Sequence, residues 1–336
     1  MRNTLYILLA LVTLFLQKVS GEENSSYYFT HINGDNGLSS SNVKAIIQDS
    51  YGFMWFGTKN GLNRFDGTSI LRMNCEDHQL KKGNNNISAL YEDANRTLWV
   101  GTDRGVYLYH PASDVFTHIN QKTKEGKTMD NWVSAIVGDT QGNIWVIIPD
   151  QGIFRYKDNE LYFYEISNRR QFKQESPNCI CVRENGEVWI GFWGLGICRY
   201  NPQNINSICE YGDWLIMAAN EGELIKYNTK SHVLEDIKVA GADNTFYTTV
   251  AYMKGKIWLG TFNGLYVIDE KKNEVVSLKE DLMRSFSLSD KMIYSMCQDS
   301  EGGIWIGTLF GGVNYLPNRN LQFDKFVPGS SGNSLN

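Results

Sequence analysis

One pattern of hydrophobic and polar residues recurs along most of the chain. An apolar segment such as "NVKAIIQD" leads into a polar turn, and a Trp-centred apolar segment, "WFGT", follows and ends at Gly-Thr. Another Gly opens a third segment, "GLNRFD", and a looser fourth segment, "SILRMN", completes the unit. No unit shows the apolar period of a helix, whereas short apolar runs separated by Gly, Asn and Asp turns recur throughout. Each unit is therefore predicted to contain four antiparallel β-strands.

The unit repeats at a period near 45 residues, which is visible at its central tryptophan. The seven copies centre on Trp55, Trp99, Trp145, Trp189, Trp214, Trp258 and Trp305, and the copy around Trp214 is degenerate. Four-stranded units at this period predict an all-β fold: a seven-bladed β-propeller of four-stranded antiparallel blades over residues 28–320. Because Trp189 and Trp214 are only 25 residues apart, the sequence leaves open whether the fourth blade has its outer strand.

Two residues recur ahead of the tryptophan in most units. Asp stands six residues before it at Asp49, Asp93, Asp139 and Asp299, and Gly stands three residues before it at Gly52, Gly142, Gly186, Gly255 and Gly302. An Asp side chain caps a tight turn and Gly accepts positive φ, so the first two strands of each unit are predicted to form a hairpin. The tryptophan is interpreted as a wedge packed between neighbouring sheets, not as a ligand platform.

The N-terminal segment has the features of an export signal. Arg2 precedes an apolar run from Leu5 to Leu16, and small residues follow from Val19 to Gly21. This predicts a cleaved signal peptide over residues 1–21, because the run is too short to span a bilayer comfortably. No later segment is long and apolar enough to cross a membrane, so we expect a periplasmic protein without a membrane span.

The segments on either side of the repeats carry their own predictions. After a short lead, residues 22–27, the segment Phe29 to Ile32 is expected to form the outer strand of the last blade and so to close the ring. Residues 321–336 look like the truncated start of a further repeat.

Charge and cysteine content argue against two kinds of site, one for nucleic acid and one for a metal. The 336 residues carry a net charge of −5 without a Lys/Arg-rich run, which argues against nucleic-acid binding. Cys179, Cys181, Cys209 and Cys297 fall on predicted inner strands and are interpreted as buried thiols, while the disulfide state of the six cysteines stays open. Cys-x-Cys lacks the paired motif of a zinc site, so no metal or other cofactor is expected.

Candidate ligand-binding residues lie in the connections between the second and third strands, which are expected to share one face of a propeller. Their aromatic rings are expected to be exposed, and exposed rings beside amides and a guanidinium suit stacking on sugar rings and hydrogen bonding to hydroxyls. The candidates are Trp193, Phe192, Phe262, Phe310, Asn60, Arg104 and Asn263. The alternative is that these aromatics plug the central channel or cover blade edges. Arg169 and Arg170, in a connection between blades, are either readers of an acidic sugar or a solvated pair.

The repeat resembles the two-component regulator propeller repeat, whose consensus reads roughly V-x-x-I-x-x-D-x-x-G-x-L-W-I-G-T-x-x-G-G-L-x-x-Y-D. The match is strongest around Trp55, Trp99, Trp258 and Trp305, while Ile147-Ile148 and Gly191-Phe192 replace Gly-Thr in copies three and four. The resemblance implies the periplasmic sensor region of a hybrid two-component system, which typically senses oligosaccharides. It implies as partners an oligosaccharide, a second propeller and a histidine kinase, with a homodimer also open. The chain looks like the export signal and first propeller alone.

No enzyme motif is present among the five histidines or elsewhere in the sequence. Asp49, Asp93, Asp139 and Asp299 occupy the same turn position in four units, whereas a catalytic pair needs one asymmetric site. A non-enzymatic sensor is therefore predicted. A polysaccharide-degrading enzyme and a protein-interaction scaffold on the same fold remain the alternatives.

Overall fold

The computed structural model describes residues 18–19, 27–77, 82–164, 176–183, 187–193, 205–219, 222–242 and 245–318. The short 3-10 helix Gly34–Asn36 lies among strands and turns. In chain order the strands are β1 (Lys18–Val19), β2 (Thr30–Ile32), β3 (Val43–Gln48), β4 (Met54–Thr58), β5 (Gly61–Phe65), β6 (Ile70–Met73), β7 (Glu76–Asp77), β8 (Lys82–Gly83), β9 (Ile87–Glu92), β10 (Leu98–Thr102), β11 (Gly105–His110), β12 (Val115–His118), β13 (Ala135–Gly138), β14 (Ile144–Ile148), β15 (Gly152–Lys157), β16 (Glu160–Tyr164), β17 (Ser176–Val182), β18 (Val188–Trp193), β19 (Ile205–Tyr211), β20 (Trp214–Ala219), β21 (Glu223–Asn228), β22 (Leu234–Ile237), β23 (Tyr247–Met253), β24 (Lys256–Thr261), β25 (Gly264–Asp269), β26 (Glu274–Leu278), β27 (Ile293–Gln298), β28 (Ile304–Thr308) and β29 (Val313–Leu316).

Most of these strands form four-stranded antiparallel sheets, which we call blades. Blade A is β3–β6, blade B is β9–β12, blade C is β13–β16, blade E is β19–β22, blade F is β23–β26, and blade G joins β27–β29 to β2. Between blades C and E, strands β17 and β18 form the two-stranded sheet D. The first strand of each sheet contacts the first strand of the next, and β27 contacts β3. The predicted all-β propeller of four-stranded antiparallel blades is confirmed. Sheet D has two described strands, so the count of seven blades stays a prediction.

The ring closes through the N-terminal strand. His31 of β2 pairs with Asn314 of β29 in antiparallel register, and Phe29 beside it is 1% exposed. The expectation that Phe29 to Ile32 supplies the outer strand of the last blade is therefore confirmed. Because the first and last units share one sheet, separating the chain ends requires breaking a blade.

A second N-terminal segment lies along blade F. Lys18–Val19 pairs in parallel with Glu274–Val275 at the outer edge of that blade. The rest of the predicted signal peptide, Arg169 and Arg170, Cys198 and residues 321–336 lie outside the described residues. The signal-peptide prediction thus stays a prediction, and the predicted cleavage after residue 21 would remove β1 from this edge.

The tryptophans act as the predicted wedges between blades. Trp99 is 2% exposed, and its ring lies 5.1 Å from that of Tyr156 on the third strand of blade C. Trp55 packs in the same way on Tyr109 of blade B, at 5.5 Å. Burying such large rings at the blade contacts supplies much of the apolar area that stabilises the ring.

The Gly of the Gly-Thr stop permits close approach of the next blade. A Cβ added to Gly101 would lie 2.7 Å from Val133 Cγ1, and one added to Gly57 would lie 2.6 Å from Ile87 Cγ2. The same contact joins Gly191 to Ile205, Gly260 to Ile293 and Gly307 to Val43. Glycine is thus needed here for space, because the first strand of the following sheet packs directly on its backbone.

The hairpin chemistry also follows the prediction. Asp49 Oδ1 accepts hydrogen bonds from the backbone N–H groups of Tyr51 and Phe53, and Gly52 has a φ of 92°. The Asp side chain therefore caps the turn between β3 and β4.

The four cysteines predicted on inner strands lie on β17, β19 and β27, and none of them forms a disulfide. Burial raises the pKa of Cys179 and that of Cys209 to about 12. All four are half-buried and not fully buried as the sequence predicted, whereas Cys75 is buried.

Candidate functional site

One face of the propeller gathers the connections between second and third strands. In blade A, Val43 at the start of β3 pairs with Thr58 at the end of β4. The turn after Thr58 therefore lies at the face where the first strands begin, and the connection from each fourth strand arrives at that face too. We call this surface the loop face.

The Thr of the Gly-Thr stop fixes each turn on the loop face. Thr58 Oγ1 donates to Gly61 O at 2.9 Å and accepts from the backbone N of Asn60 at 3.1 Å. Thr102 and Thr261 repeat both bonds in blades B and F. These turns present the exposed side chains of Asn60, Arg104 and Asn263.

The predicted aromatic residues differ in their surroundings. Phe310 is 71% exposed on the turn of blade G. Phe262 is half-buried, and its ring lies 5.5 Å from Phe246 and 6.1 Å from Tyr294. Phe192 is 4% exposed, so the expectation of an exposed ring at this position is wrong: the residue is buried in sheet D. The backbone of Trp193 pairs with Ser176, and its side chain lies outside the described part of the chain.

A β-bulge near the start of the first strand recurs from sheet to sheet. In β3 the register passes from Val43 opposite Thr58 to Ala45 opposite Gly57, which leaves Lys44 without a partner residue. The same shift occurs in β9, β17, β19, β23 and β27, and the residues skipped there are Ser88, Asn178, Asn206, Thr248 and Tyr294. A bulge redirects the side chain of the extra residue, and bulges are frequent beside binding sites.

The redirected side chains surround a central cavity. Five of the six bulge residues, all but Thr248, line a space of about 450 Å³ at the centre of the ring. Trp132, Ser134 and Ala135 of blade C line it too, as do Cys179, Ile180, Ser207 and Ile208. Thr248 instead donates to Ile293 O of blade G at 2.6 Å. The volume lies within the roughly 300–1,000 Å³ typical of small-molecule pockets.

Hydrogen bonds to the neighbouring sheet hold the polar groups of the cavity. Asn206 Nδ2 donates to Tyr247 O at 2.6 Å, and Asn178 Nδ2 donates to Ile205 O at 3.3 Å. Lys44 Nζ donates to Asn86 Oδ1 at 3.0 Å. Side chains held in this way keep one orientation, so a ligand would meet a preformed surface.

The electrostatic character of the cavity depends on Lys44. Burial lowers the pKa of Lys44, while the carboxylate of Asp103 acts in the opposite direction and Lys59 lowers that pKa further. Burial likewise raises the pKa of Tyr294, with Asp290 adding to the rise. At neutral pH a neutral phenol therefore faces the cavity.

Sequence reasoning missed the bulge residues. In the sequence each one stands between two strand residues and reads as an ordinary solvent-facing position of an alternating strand. The available signal was that each of these residues stands two positions before a pair of apolar residues. A bulge, however, is defined by how two strands pair, and the sequence of one strand does not reveal that register.

Two further properties of the described residues bear on other functions. No cluster of three or more His, Cys, Asp or Glu side chains within the described ranges is arranged to hold a metal ion. None of the helices among them is long and apolar enough to cross a membrane.

Three segments of the chain match the family model described as two component regulator propeller. They are residues 37–60, 81–104 and 287–310. A curated relative, histidine kinase P4 of Formosa agariphila, is 46% identical over 57 residues, which are 16% of this chain and 4% of that protein. These three segments therefore match the two-component regulator propeller repeat.

Solved structures show the same fold over most of the chain. The extracellular domain of a putative hybrid two component system from B. thetaiotaomicron has a TM-score of 0.75 at 23% identity, covering 90% of this chain and 43% of that one. The extracellular domain of a putative one component system from the same organism has a TM-score of 0.73 at 21% identity, covering 90% and 41%. This chain thus spans less than half the length of the solved chains.

Proposed function

We propose that this chain is a ligand-sensing propeller module of a hybrid two-component sensor and that it binds an oligosaccharide at the loop face and the central cavity. The module is non-enzymatic in this proposal. The repeats that it shares with the two-component regulator propeller family support its place in such a system.

The observation that carries the ligand proposal is the ring of bulge residues around the cavity. Five first strands each direct one side chain into it, and four of those five are lysine, serine or asparagine. Trp132 and Tyr294 add aromatic surface to the same space. Hydroxyl and amide groups beside flat aromatic rings match the alternating polar edges and apolar faces of a sugar.

The predicted loop residues extend this site outward. Phe262 contacts Tyr294 of the cavity wall, and Phe310 is exposed on the adjacent blade. Asn60, Arg104 and Asn263 stand exposed on the turns around the face. Together with Trp193 they form the outer part of the proposed binding surface.

The setting of the module is part of the proposal. It is exported to the periplasm after cleavage of residues 1–21, and its ring has seven blades, with sheet D as the core of the fourth. Its partners are a second propeller and a histidine kinase that carries the signal, and the sensor acts as a homodimer. The extracellular assignment of the solved relatives with this fold supports the location.

Calorimetric titration of the purified chain against a panel of neutral and acidic oligosaccharides tests the proposal. We expect Trp132→Ala to weaken binding by about 1–3 kcal/mol, because it removes an aromatic anchor. The matched control is Tyr51→Ala, an exposed aromatic on the opposite face, which should bind as the unmodified chain does.

The same panel separates the alternatives. Cleavage products in the incubated mixtures would identify a polysaccharide-degrading enzyme instead. If no glycan of the panel binds, recognition of saccharides is rejected and a protein-interaction scaffold becomes the better explanation.

A further inference from the structure

The charge in the central cavity comes from one side chain. Of the described residues that line it, Lys44 alone carries a formal charge, and the others are hydroxyl, amide, thiol, aromatic or aliphatic. The bulge in β3 directs Lys44 to this position. The cavity is therefore a polar space with a single cationic group in its wall.

The ammonium group of Lys44 has hydrogen-bond donors left for a ligand. An ammonium group has three donors, and the bond to Asn86 Oδ1 uses one of them. Asn86 Nδ2 donates to Asp103 Oδ2 at 3.2 Å. Within the described part of the chain no carboxylate lies within ion-pair distance of Lys44 Nζ, and that of Asp103 acts on it only from farther away. A half-buried cation without a paired anion is unfavourable, and an anionic ligand would relieve that cost.

We propose that the cavity binds an acidic saccharide, such as a uronate, and that Lys44 receives its carboxylate. The assignment rests on the proposed function, because it specifies the class of oligosaccharide for that site. The serine and asparagine side chains of the ring bind the hydroxyl groups, and Trp132 provides an apolar wall for the face of a sugar ring. Charge-assisted hydrogen bonds are stronger than neutral ones, so the carboxylate contributes a large part of the selectivity.

Titration with a galacturonic acid trisaccharide and with its methyl ester tests this assignment at constant ionic strength. The two probes share their hydroxyl groups and differ in charge. We expect the acid to bind about tenfold more tightly than the ester, the size of one charge-assisted hydrogen bond. Lys44→Gln should abolish this preference, and Lys44→Arg should retain most of it.

The control variant is Lys230→Gln, whose side chain is 77% exposed on the turn of blade E opposite the loop face. It removes one positive charge from the protein without touching the cavity, so it should keep the preference for the acid. Thermal melts of all variants identify any that fail to fold, and Lys44→Arg keeps the charge should Lys44→Gln prove unstable.

The outcomes distinguish a failure of the acidic-saccharide assignment from a failure of saccharide sensing itself. Equal affinity for acid and ester, or a preference that survives in Lys44→Gln, overturns the assignment while leaving saccharide sensing in place. Absence of binding by both probes and by every other glycan overturns saccharide sensing as well. Inorganic sulfate that displaces the acid at equal concentration identifies a simple anion site and overturns the saccharide assignment.

Discussion

Trp99 Nε1 donates a hydrogen bond to Asp93 Oδ2 at 2.9 Å, across the six residues that separate them. The other carboxylate oxygen of Asp93 accepts from the backbone N–H groups of Asn95 and Thr97. One carboxylate therefore caps the hairpin turn and also satisfies the indole of the buried wedge. The same pairing joins Asp49 to Trp55, Asp139 to Trp145 and Asp299 to Trp305. This double role explains the fixed spacing of the two residues in the repeat.

Replacement of Asp93 should destabilise blade B. Asp93→Ala removes both turn caps and leaves the indole N–H without its acceptor, so we expect a loss of about 1–3 kcal/mol of unfolding free energy. Asp93→Asn keeps an oxygen for the turn and should cost less. Urea unfolding measures both variants. Asp236→Ala, on an exposed edge strand, is the control, and an equal effect of Asp93→Ala and Asp236→Ala would contradict the proposed double role.

The sequence predicted the parts of this fold that depend on local chemistry. The hairpin turn, the tryptophan wedge and the closing strand follow from Asp, Gly and alternating apolar residues. The indole bond to Asp93 was not foreseen, because it depends on the direction of a side chain and not on its position. In blade F no Asp stands six residues before the tryptophan, and Trp258 Nε1 donates instead to Met253 O at 3.1 Å.

Prediction of the candidate site was less complete for a related reason. The loop face was inferred from topology, which correctly located Phe262 and Phe310 on connections at one face. Burial of Phe192 and the cavity-facing direction of Lys44 depend on packing and register between strands. Neither can be read from a single strand of the sequence.

Adding one methyl group to Gly101 should loosen the contact between blades B and C. The new Cβ would lie 2.7 Å from Val133 Cγ1 and 3.1 Å from Ala89 Cβ. We expect Gly101→Ala to cost about 1–3 kcal/mol of unfolding free energy through overpacking.

A double-mutant cycle identifies the cause of that loss. Val133→Ala removes the methyl groups that the new Cβ would meet, so the double variant should be more stable than the sum of the single losses implies. Strictly additive free energies in denaturant unfolding would show that the loss comes from elsewhere. Gly126→Ala is not a suitable control, since Gly126 has a φ of 78° and an alanine there is strained by its backbone.

Acid should weaken blade C through Asp139. Burial raises the pKa of Asp139, but hydrogen bonds from Trp145, Asn143 and backbone N–H groups outweigh it, and the net shift is downward. A carboxyl with a depressed pKa in the folded state contributes stability that is fully present above the unfolded value of about 3.9. That contribution is lost as pH falls through the folded pKa.

The comparison of Asp139→Asn with the unmodified chain measures this effect. Urea midpoints should differ at pH 7 and converge as the pH is lowered below about 4, because protonation then removes the same charge from the unmodified chain. A difference between the two proteins that stays constant from pH 7 to pH 3 would exclude Asp139 as a source of acid sensitivity.

The inner-strand thiols should be unreactive in the folded protein. Burial raises the pKa of Cys181 and of Cys297 to about 11, so little thiolate is present at pH 8. In a Cys198→Ser background, a disulfide reagent should label these thiols much more slowly than it labels free cysteine. Labelling in urea should then be complete. Rapid labelling of the folded chain would show that the first strands are accessible to the reagent.

The loop aromatics and the wedge tryptophans should respond to substitution in opposite ways. Trp99→Ala empties a buried space between blades and should cost about 3–5 kcal/mol of unfolding free energy. Phe310→Ala removes a ring that is 71% exposed, so its melting temperature should stay close to that of the unmodified chain.

We expect Phe310→Ala and Trp193→Ala each to weaken oligosaccharide binding by about 1–3 kcal/mol, the range for loss of an aromatic anchor. Thermal melts and calorimetric titrations of the three variants supply both measurements. A melting temperature for Trp193→Ala as low as that of Trp99→Ala would make Trp193 a core residue and remove it from the proposed binding surface.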